Sequence, residues 1–528
     1  MGTLDDVVLR SFAEALTSGT NFMKICLVRG PSIVGKTAFI APLTPSIGLA
    51  YIAASLRDAG HEVMIIDAVG ENPRNSIPYT DFLILRGIDV DEIVARIPRD
   101  VEMIGISEMF SSQWSPTRAL INAIGEVFPN TFTVGGGEHF SAAPELSLDQ
   151  CPTLDACAFG EGEEVAVELA DTLERGGDIK TVAGLMVRSK NGYIKTGPRG
   201  RIRNIDEIPR PAWDLVPLNN YLDDHLGFGV DLGRSIPMLA SRGCPYQCTF
   251  CSSPNFWGTR WLARDPKIVV NEIEDYVTSY QVENIDFYDL TAIVKRDWII
   301  DFCNELINRK LNITWQLPSG TRSEVIDLEV ANLLFQSGCR NLSYAPESGS
   351  EKMLVKIKKK IKLKTMQKSL RDAYRAGLSI KLNFIIGLPD ETHMDVLKTF
   401  WLMAKFSWYG AQDVGVAPFA PYPGSPLYSR LLDEGKIDHS NAYFDTLASV
   451  NFTRTVSYCD AISYRWLRFY NLAGFFLFYG SNYVFRPWRL VRTIRNLIVN
   501  KHETRGEMAL RDMLERMGLA PAVRARDT

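Results

Sequence analysis

Three cysteines in one short segment are the residues whose spacing most clearly indicates chemistry. Cys244, Cys248 and Cys251 are separated by three and two residues. Structural zinc sites are closed by four ligands in paired spacings, and no fourth Cys or His lies nearby in the sequence. Three thiolates on one loop instead suit a cubane 4Fe–4S cluster that leaves one iron without a protein ligand. The spacing therefore predicts such a cluster, with an incomplete zinc site or three unrelated thiols as the alternatives.

The rest of the composition is that of a globular protein. The other six cysteines are scattered and are interpreted as buried core residues. With 528 residues, 23% of them charged, and a formal net charge of −4, the chain has the size of about two to four domains. This balance excludes a disordered, collagen-like or disulfide-framework protein and predicts no nucleic-acid partner. The acidic first ten residues lack an apolar core, so we expect no signal peptide and a cytoplasmic location.

Residues 22–190 alternate short apolar runs with amphipathic stretches. This alternation indicates a parallel, doubly wound, Rossmann-like sheet with helices on both faces. Such sheets bind ligands at the carboxyl ends of their strands, where this chain has glycines at 135–137 and again within 160–162. Tight turns without a ligand are the alternative for either loop. The predicted strands are 24–28, 62–67, 103–107, 131–136 and 154–159.

Residues 236–430 repeat the strand–helix alternation six times without a glycine-rich phosphate fingerprint. This pattern predicts a partial (β/α)6 barrel, an open version of the (β/α)8 fold, with chemistry at the carboxyl ends of its strands. The three clustered cysteines follow the first of these strands. Residues 195–235 are interpreted as an ordered linker rather than a core element, and residues 431–528 as a helical C-terminal region. The predicted barrel strands are 238–242, 284–289, 313–317, 341–345, 380–387 and 414–419.

The cysteine motif, with Phe250 before its last cysteine, resembles that of the radical S-adenosylmethionine superfamily. The resemblance implies that the three cysteines are the metal ligands of a 4Fe–4S cluster whose free iron binds S-adenosylmethionine. Reduction of the cluster then cleaves this cosubstrate to a 5′-deoxyadenosyl radical, which abstracts a hydrogen atom from the substrate. The implied cosubstrate contacts are Phe250, Asp289, Glu347, Ser348 and Gly387. For the carboxylates Asp289 and Glu347, a structural role at the barrel mouth is the alternative.

The first half resembles the cobalamin-binding domain that is fused upstream of one class of these enzymes. Segments 43–68, 104–110, 134–145 and 158–164 carry this resemblance. No Asp-x-His-x-x-Gly motif occurs, because Asp67 is followed by Ala and Val, so we expect cobalt without a lower histidine ligand. His139 follows the glycine run and is equally well interpreted as a surface group. The implied cobalamin contacts are Ser107, Glu108, Gly136, Gly137, Gly160 and Gly162.

Three further patterns leave alternatives open. Residues 30–37 satisfy the G-x4-G-K-T pattern of a P-loop, but Pro42 and Pro45 interrupt the helix that a P-loop requires, so we instead expect this loop to cover one face of the corrin. The lysine-rich run 356–364 predicts a solvated surface. The aromatic segment 475–485 and the arginines that follow it indicate either a helix packed on the barrel or a peripheral contact with anionic lipid.

Together these patterns predict a cobalamin-dependent radical S-adenosylmethionine enzyme. The expected reaction is methyl transfer to an unactivated carbon of a small or lipid-like metabolite. An electron donor such as flavodoxin or ferredoxin is expected to reduce the cluster. A radical oxidative cyclase or rearrangement enzyme with the same cofactors is the alternative, because the motifs above are common to both. A P-loop nucleotidase and a non-catalytic cofactor carrier are the remaining interpretations.

Overall fold

The computed structural model describes residues 22–36, 38, 43–448 and 455–520. In these ranges the N-terminal half forms a seven-stranded sheet, in which five strands are parallel and the last two are added by antiparallel pairing. β1 and its neighbours are buried on both faces, as expected for a sheet covered by helices on each side. In spatial order the strands are β10 (Gly192–Lys195), β9 (Leu185–Ser189), β8 (Ala156–Ala158), β7 (Phe132–Gly136), β6 (Met103–Ser107), β1 (Lys24–Arg29) and β3 (Glu62–Asp67).

Helices cover both faces of this sheet, and a small antiparallel sheet lies at its edge. One of these helices, α3 (Val90–Arg96), begins with a capping box between Asp89 and Glu92. The small sheet contains β2 (Ser32–Gly35), β4 (Ser76–Pro78) and β5 (Leu83–Arg86). The helices are α1 (Ile47–Asp58), α2 (Ala68–Glu71), α3 (Val90–Arg96), α4 (Trp114–Val127), α5 (Glu138–Ala142), α6 (Pro144–Gln150) and α7 (Gly162–Glu174).

The P-loop interpretation is wrong for the part of the motif that the structure describes. Residues 32–35 are not a phosphate-binding turn but the extended strand β2, paired with β5. Lys36 continues this pairing, because its backbone N–H donates to Phe82 O at 2.8 Å. Among the described residues, the helix that follows β2 is α1, which begins at Ile47. Thr37 and residues 39–42, including Pro42, lie outside the described residues.

Residues 196–234 pack more deeply than a linker would. They contain α8 (Leu218–Asp223), and Trp213 and Tyr221 are almost fully buried. The Tyr221 hydroxyl donates to Asp67 Oδ2 at 2.7 Å and accepts from Arg29 Nη1 at 3.1 Å. Since Asp67 and Arg29 end β3 and β1, this segment closes part of the carboxyl edge of the first sheet. Its prolines prevent long helices, but they do not keep its aromatic side chains out of the core.

The second half is a partial barrel of six parallel strands in sequential order, which confirms the predicted fold class. The strands are β11 (Ser235–Met238), β14 (Asn284–Phe287), β15 (Thr314–Thr321), β16 (Cys339–Glu347), β17 (Ser379–Ile386) and β18 (Asp413–Pro418). A two-stranded ribbon, β12 (Ser241–Arg242) and β13 (Leu262–Ala263), stands beside the first strand. The helices are α9 (Ser253–Trp257), α10 (Pro266–Tyr280), α11 (Arg296–Arg309), α12 (Leu328–Gln336), α13 (Glu351–Lys356), α14 (Leu363–Arg375) and α15 (His393–Tyr409).

The C-terminal helices close the open edge of the barrel. Asn471 and Asn482 donate their side-chain amides to Val416 O at 2.7 Å and Ala411 O at 2.6 Å, which attaches one long helix to the last strand. None of the helices in the described ranges combines the length and apolarity needed to cross a membrane. The helices are α16 (Pro426–Asp433), α17 (Asn441–Ala448), α18 (Tyr464–Phe485), α19 (Pro487–Val499) and α20 (Arg505–Arg516).

Removal of the Tyr221 hydroxyl tests how the segment before the barrel is held. Tyr221→Phe removes a buried hydroxyl that bonds both the Asp67 carboxylate and the Arg29 guanidinium, so we expect the free energy of unfolding to fall by about 1–2 kcal/mol. Urea denaturation followed by circular dichroism measures this change. Tyr193→Phe is the matched control, because the Tyr193 hydroxyl bonds Asp149 in solvent. Equal losses of unfolding free energy in the two variants would contradict a structural role for the buried hydrogen bonds of Tyr221 with Asp67 and Arg29.

Candidate functional site

The three clustered cysteines lie on the loop between β12 and α9, at the carboxyl edge of the barrel. All are half-buried and none forms a disulfide. Burial raises the pKa of Cys248 to about 11, and the positive charge of Lys359 opposes this shift. Three accessible thiols on one loop are a donor set that fits a cubane cluster. No three His, Cys, Asp or Glu side chains among the described residues are arranged to hold a single metal ion.

Contacts with the barrel hold this loop in place. Thr249 N–H donates to Ile357 O at 3.0 Å, and Thr249 O accepts from Leu427 N–H at 2.9 Å. The Arg322 guanidinium stacks 3.9 Å from the centre of the Tyr246 ring. Arg322 therefore touches the site loop. Trp315, Gln316 and Tyr344, on the strands of the same barrel, are instead buried in its core.

Asp289 lies beside the strand that leads into the cysteine loop. It is 2% exposed, and its two oxygens accept from Ala240 N–H at 3.1 Å and the Ser241 hydroxyl at 2.5 Å. These bonds turn the chain after β11, which explains why the first barrel strand ends at Met238 rather than at the predicted residue 242. Both oxygens are occupied by protein donors, so this geometry favours the structural alternative over a direct cosubstrate contact.

Glu347 ends β16 and forms a buried ion pair that the sequence did not reveal. Its Oε1 lies 2.8 Å from Lys359 Nζ, and both side chains are largely buried. Burial by itself would lower the pKa of Lys359, but the Glu347 carboxylate raises it, so the ammonium group stays protonated. The expectation of a solvated lysine run is therefore wrong at Lys359. Glu347 has a φ of +61°, a backbone conformation that non-glycine residues rarely adopt and that occurs often at functional sites.

The remaining predicted cosubstrate residues surround the same edge. Lys359 Nζ lies 5.9 Å from the centre of the Phe250 ring, so Phe250 borders the Glu347 pair. Ser348 is fully buried and its hydroxyl bonds Thr399 at 3.3 Å. Gly387 follows β17, and its N–H donates to Glu391 Oε2 at 2.6 Å. Phe250 and Glu347 thus have side chains at the cysteine loop, whereas the Ser348 hydroxyl bonds Thr399 and Gly387 offers only its backbone.

The residues predicted to contact cobalamin lie together at the carboxyl edge of the first sheet. Ser107 ends β6 and pairs in register with Gly136 at the end of β7. A Cβ atom at Gly136 would meet no atom within 4 Å, so the space above it is open, whereas one at Gly137 would lie 2.4 Å from Glu108 O. Gly160 follows β8 with a φ of +68°. This open, glycine-lined edge fits a large planar ligand approached by backbone.

Two polar side chains near this edge face into the protein. Burial raises the pKa of Glu108 to about 7, and its oxygens accept from the Thr117 hydroxyl and from Phe110 N–H. His139 is 1% exposed and stacks on Trp114 at 4.3 Å, which excludes the surface role that the sequence left open. Burial lowers the pKa of His139 to about 3, so the imidazole is neutral.

The two candidate edges touch each other. The Ser252 hydroxyl, directly after the last clustered cysteine, donates to the Glu138 carboxylate directly after the glycine run. Asn255 Nδ2 donates to Ser141 O at 3.1 Å, and a Cβ atom at Gly160 would lie 3.5 Å from Phe256 O. The cysteine loop is therefore in direct contact with the glycine edge, the glycine-lined carboxyl edge of the first sheet. We call this contact the seam.

A buried charge network lies behind this seam. Arg242, in β12, donates to Glu163 at 2.5 Å and to Glu161 at 3.2 Å, and these side chains are less than a tenth exposed. Arg201 adds a second bond to Glu161 at 2.6 Å. Gly162 lies between the two glutamates, at the start of α7. The acidic pair of residues 161 and 163 is visible in the sequence, but its arginine partners are distant along the chain.

Loss of the Lys359 charge is expected to destabilise the site. Lys359→Met leaves the Glu347 carboxylate buried without a partner, so we expect the free energy of unfolding to fall by about 3 kcal/mol, and Glu347→Gln added to it to restore most of this loss. Chemical denaturation of the three proteins measures both effects. Lys360→Met, at an exposed neighbour, is the control. A double variant as unstable as the single one would contradict the ion-pair account.

The buried carboxyl of Asp289 predicts a pH dependence. Burial raises its pKa from 3.8 to about 6, so the folded state holds this proton more tightly than the unfolded chain does. Its contribution to stability is therefore fully present below about pH 4 and is lost as the pH rises to about 6. Asp289→Asn cannot ionise, so its free energy of unfolding relative to the wild type should rise by up to about 3 kcal/mol between pH 4 and 7. Urea denaturation across this range would contradict the account if the difference stayed constant.

Two protein-family models and several known proteins match this chain. Residues 37–170 match the model of the B12 binding domain, and residues 238–402 match that of the Radical SAM superfamily. An uncharacterized methyltransferase of Pyrococcus horikoshii, PH0819, is 31% identical over 409 residues, which cover 77% of this chain and 82% of the relative. The anaerobic magnesium-protoporphyrin IX monomethyl ester cyclase of Cereibacter sphaeroides is 28% identical over 479 residues, 88% of this chain and 72% of the relative.

A solved structure has the same architecture. The radical S-adenosylmethionine methyltransferase TsrM from Kitasatospora setae, with cobalamin and a 4Fe–4S cluster bound, matches with a TM-score of 0.62 and 18% identity over 78% of this chain and 75% of that one. The two matched domains follow one another in the order that the sequence predicted, and their cofactors are cobalamin, a 4Fe–4S cluster and S-adenosylmethionine. The chain therefore belongs to the family of cobalamin-dependent radical S-adenosylmethionine enzymes.

Proposed function

We propose that this enzyme transfers a methyl group to an unactivated carbon of a small or lipid-like metabolite. The observation that carries this proposal is the seam between Ser252 and Glu138, which joins the cysteine loop to the glycine edge. A radical formed at one edge and a methyl group held at the other would need to reach the same substrate carbon. Edges in direct contact, rather than on opposite sides of the molecule, satisfy that requirement.

In this proposal the barrel edge holds the cluster and its cosubstrate. Cys244, Cys248 and Cys251 would bind three of the four irons, and the bound cluster supplies one electron for cleavage of S-adenosylmethionine. Phe250 would pack against the adenine, and Glu347, oriented by Lys359, would accept hydrogen bonds from the polar part of the cosubstrate. The backbone of Ser348 and Gly387 would border the same ligand, while Asp289 would position the loop.

The edge of the first sheet would hold cobalamin, which supplies the methyl group. Burial of Glu108 and its internal bonds mean that its backbone rather than its carboxyl would face the ligand. This assignment places cobalamin within residues 22–190 and the cluster within residues 236–430, joined by residues 195–235 and followed by residues 431–528. The proposed contacts remain Ser107, Glu108, Gly136, Gly137, Gly160 and Gly162.

The proposal also includes where the enzyme works and what reduces it. A cytoplasmic flavodoxin or ferredoxin would deliver electrons to the half-buried cysteine loop. A peripheral contact of the C-terminal region with the inner face of the membrane would give access to lipid-like substrates.

Oxidative cyclisation with the same cofactors is the second candidate. It is favoured by the cyclase of Cereibacter sphaeroides, whose similarity extends over 88% of this chain. The two reactions differ in their by-products. Methyl transfer consumes two molecules of S-adenosylmethionine, one giving S-adenosylhomocysteine and the other methionine and 5′-deoxyadenosine, whereas cyclisation gives 5′-deoxyadenosine alone.

Product analysis of the anaerobically reconstituted enzyme tests the proposal. With cobalamin, S-adenosylmethionine and a strong reductant, we expect both S-adenosylhomocysteine and 5′-deoxyadenosine by mass spectrometry. Cys248→Ala should abolish 5′-deoxyadenosine formation and lower the iron content, because the cluster loses a ligand. Cys459→Ala, at a cysteine outside the loop, is the control and should leave both unchanged. 5′-Deoxyadenosine without S-adenosylhomocysteine would favour cyclisation, and full turnover by Cys248→Ala would contradict the cluster assignment.

A further inference from the structure

One side of the molecule exposes an unusual number of large apolar side chains. The outer face of α15 presents Met394, Leu397, Trp401 and Trp408, at the three- and four-residue spacing of one helical stripe. Trp401 is 73% exposed. A surface stripe on a helix in water normally carries polar residues, so this one is inverted. We use the name aromatic face for these exposed apolar residues of α15 together with those of α18 and α19 that are described next.

The neighbouring helices continue the same face. On α18, Phe469, Phe476 and Val484 follow one another along the side opposite its buried stripe, and Phe476 and Val484 are each 77% exposed. On α19, Val491 and Ile498 are 68% and 76% exposed. Aromatic contacts at both ends join α15 to α18: the rings of His393 and Trp466 lie 5.5 Å apart, and those of Trp408 and Phe485 lie 4.8 Å apart. The stripes of α15 and α18 therefore adjoin, and α19 packs against α18.

The helices α18 and α19 themselves carry only positive charge, and one of their arginines, Arg492, pairs with Glu503 beyond α19 at 2.7 Å. Residues 464–499, which include α18 and α19, contain six arginines and no Asp or Glu, in a chain whose net charge is −4. Arg486 and Arg489 are buried and donate to carbonyl oxygens of residues 407, 408 and 412, which ties the turn between the helices to the end of α15. Arg468 and Arg495 are exposed and have no acidic partner within 4 Å among the described residues.

Exposed aromatic residues between solvated arginines suit one environment in particular. Large exposed apolar patches mark contacts with proteins or membranes. Trp and Phe favour the boundary between lipid headgroups and acyl chains, where arginine side chains extend to the phosphates. Each arginine near an anionic bilayer surface adds about 1 kcal/mol of attraction. A second copy of the chain would instead have to bury these unpaired positive charges against identical ones.

We propose that the aromatic face of α15, α18 and α19 is a docking surface for an anionic lipid bilayer. This surface includes Trp401 and Trp408 of the barrel domain, so the barrel itself and not only the C-terminal region would rest on the membrane. The helices lie in the headgroup layer without crossing it. This binding does not depend on methyl transfer, since none of these side chains belongs to the cofactor edges.

Vesicle flotation with the reconstituted full-length protein tests the proposal. We expect flotation with vesicles that contain phosphatidylglycerol, little with pure phosphatidylcholine, and weakening at high salt because exposed charges are screened. Arg468→Glu with Arg495→Glu should weaken binding by at least about tenfold. Lys190→Glu with Lys267→Glu changes the charge equally at exposed sites elsewhere and should retain binding.

A second variant separates lipid from a protein partner. Trp401→Glu with Val491→Glu should abolish flotation while leaving formation of 5′-deoxyadenosine unchanged, because both side chains are exposed and neither belongs to the cofactor edges. Light scattering should give the same molar mass for the variant and for the unsubstituted protein. A dimer that the variant dissociates would assign the face to a second copy and overturn the proposal. Absence of flotation with anionic vesicles, or flotation unaffected by either variant, would overturn it equally.

Discussion

The contact between the cysteine loop and the glycine edge is the constraint on which the rest of the structure depends. Two domains of different architecture meet at Ser252 and Glu138, and the buried Arg242 holds Glu161 and Glu163 directly behind them. A buried arginine is stable only when its charge is matched and its donors are occupied. The two glutamates therefore fix the relative position of the two cofactor edges as well as stabilising their interface.

Other elements follow from this constraint. The carboxyl ends of the first sheet must point toward the mouth of the barrel, so the chain between the domains has to pass across that edge. It does so as a buried segment, with Tyr221 bonded to Asp67 and Arg29 at the ends of β3 and β1. The open side of a six-stranded barrel must also be covered, and α18 covers it through Asn471 and Asn482.

Sequence reasoning succeeded where the signal was local. The strands predicted at 62–67 and 103–107 are β3 and β6 to the residue, because apolar runs between helical patterns leave little choice. The cysteine loop was singled out by its spacing, and its role as the cluster site stays a prediction. The first barrel strand was misplaced because Asp289, 48 residues further along, bends the chain at Ser241. Lys359 was assigned to solvent because its neighbours are lysines, and only the fold reveals Glu347 beside it. The apolar stripe of α15 has the spacing of a core stripe, so its exposure also required the structure.

The account's central claim is that the two edges act on one substrate carbon. The most direct measurement is to incubate the reconstituted enzyme with S-adenosylmethionine carrying a deuterated methyl group and a metabolite and lipid extract, followed by mass spectrometry. The account predicts a product that gains the labelled methyl on carbon in the same reaction that forms 5′-deoxyadenosine. Turnover of S-adenosylmethionine with the label recovered only in methionine and unused cosubstrate would contradict it.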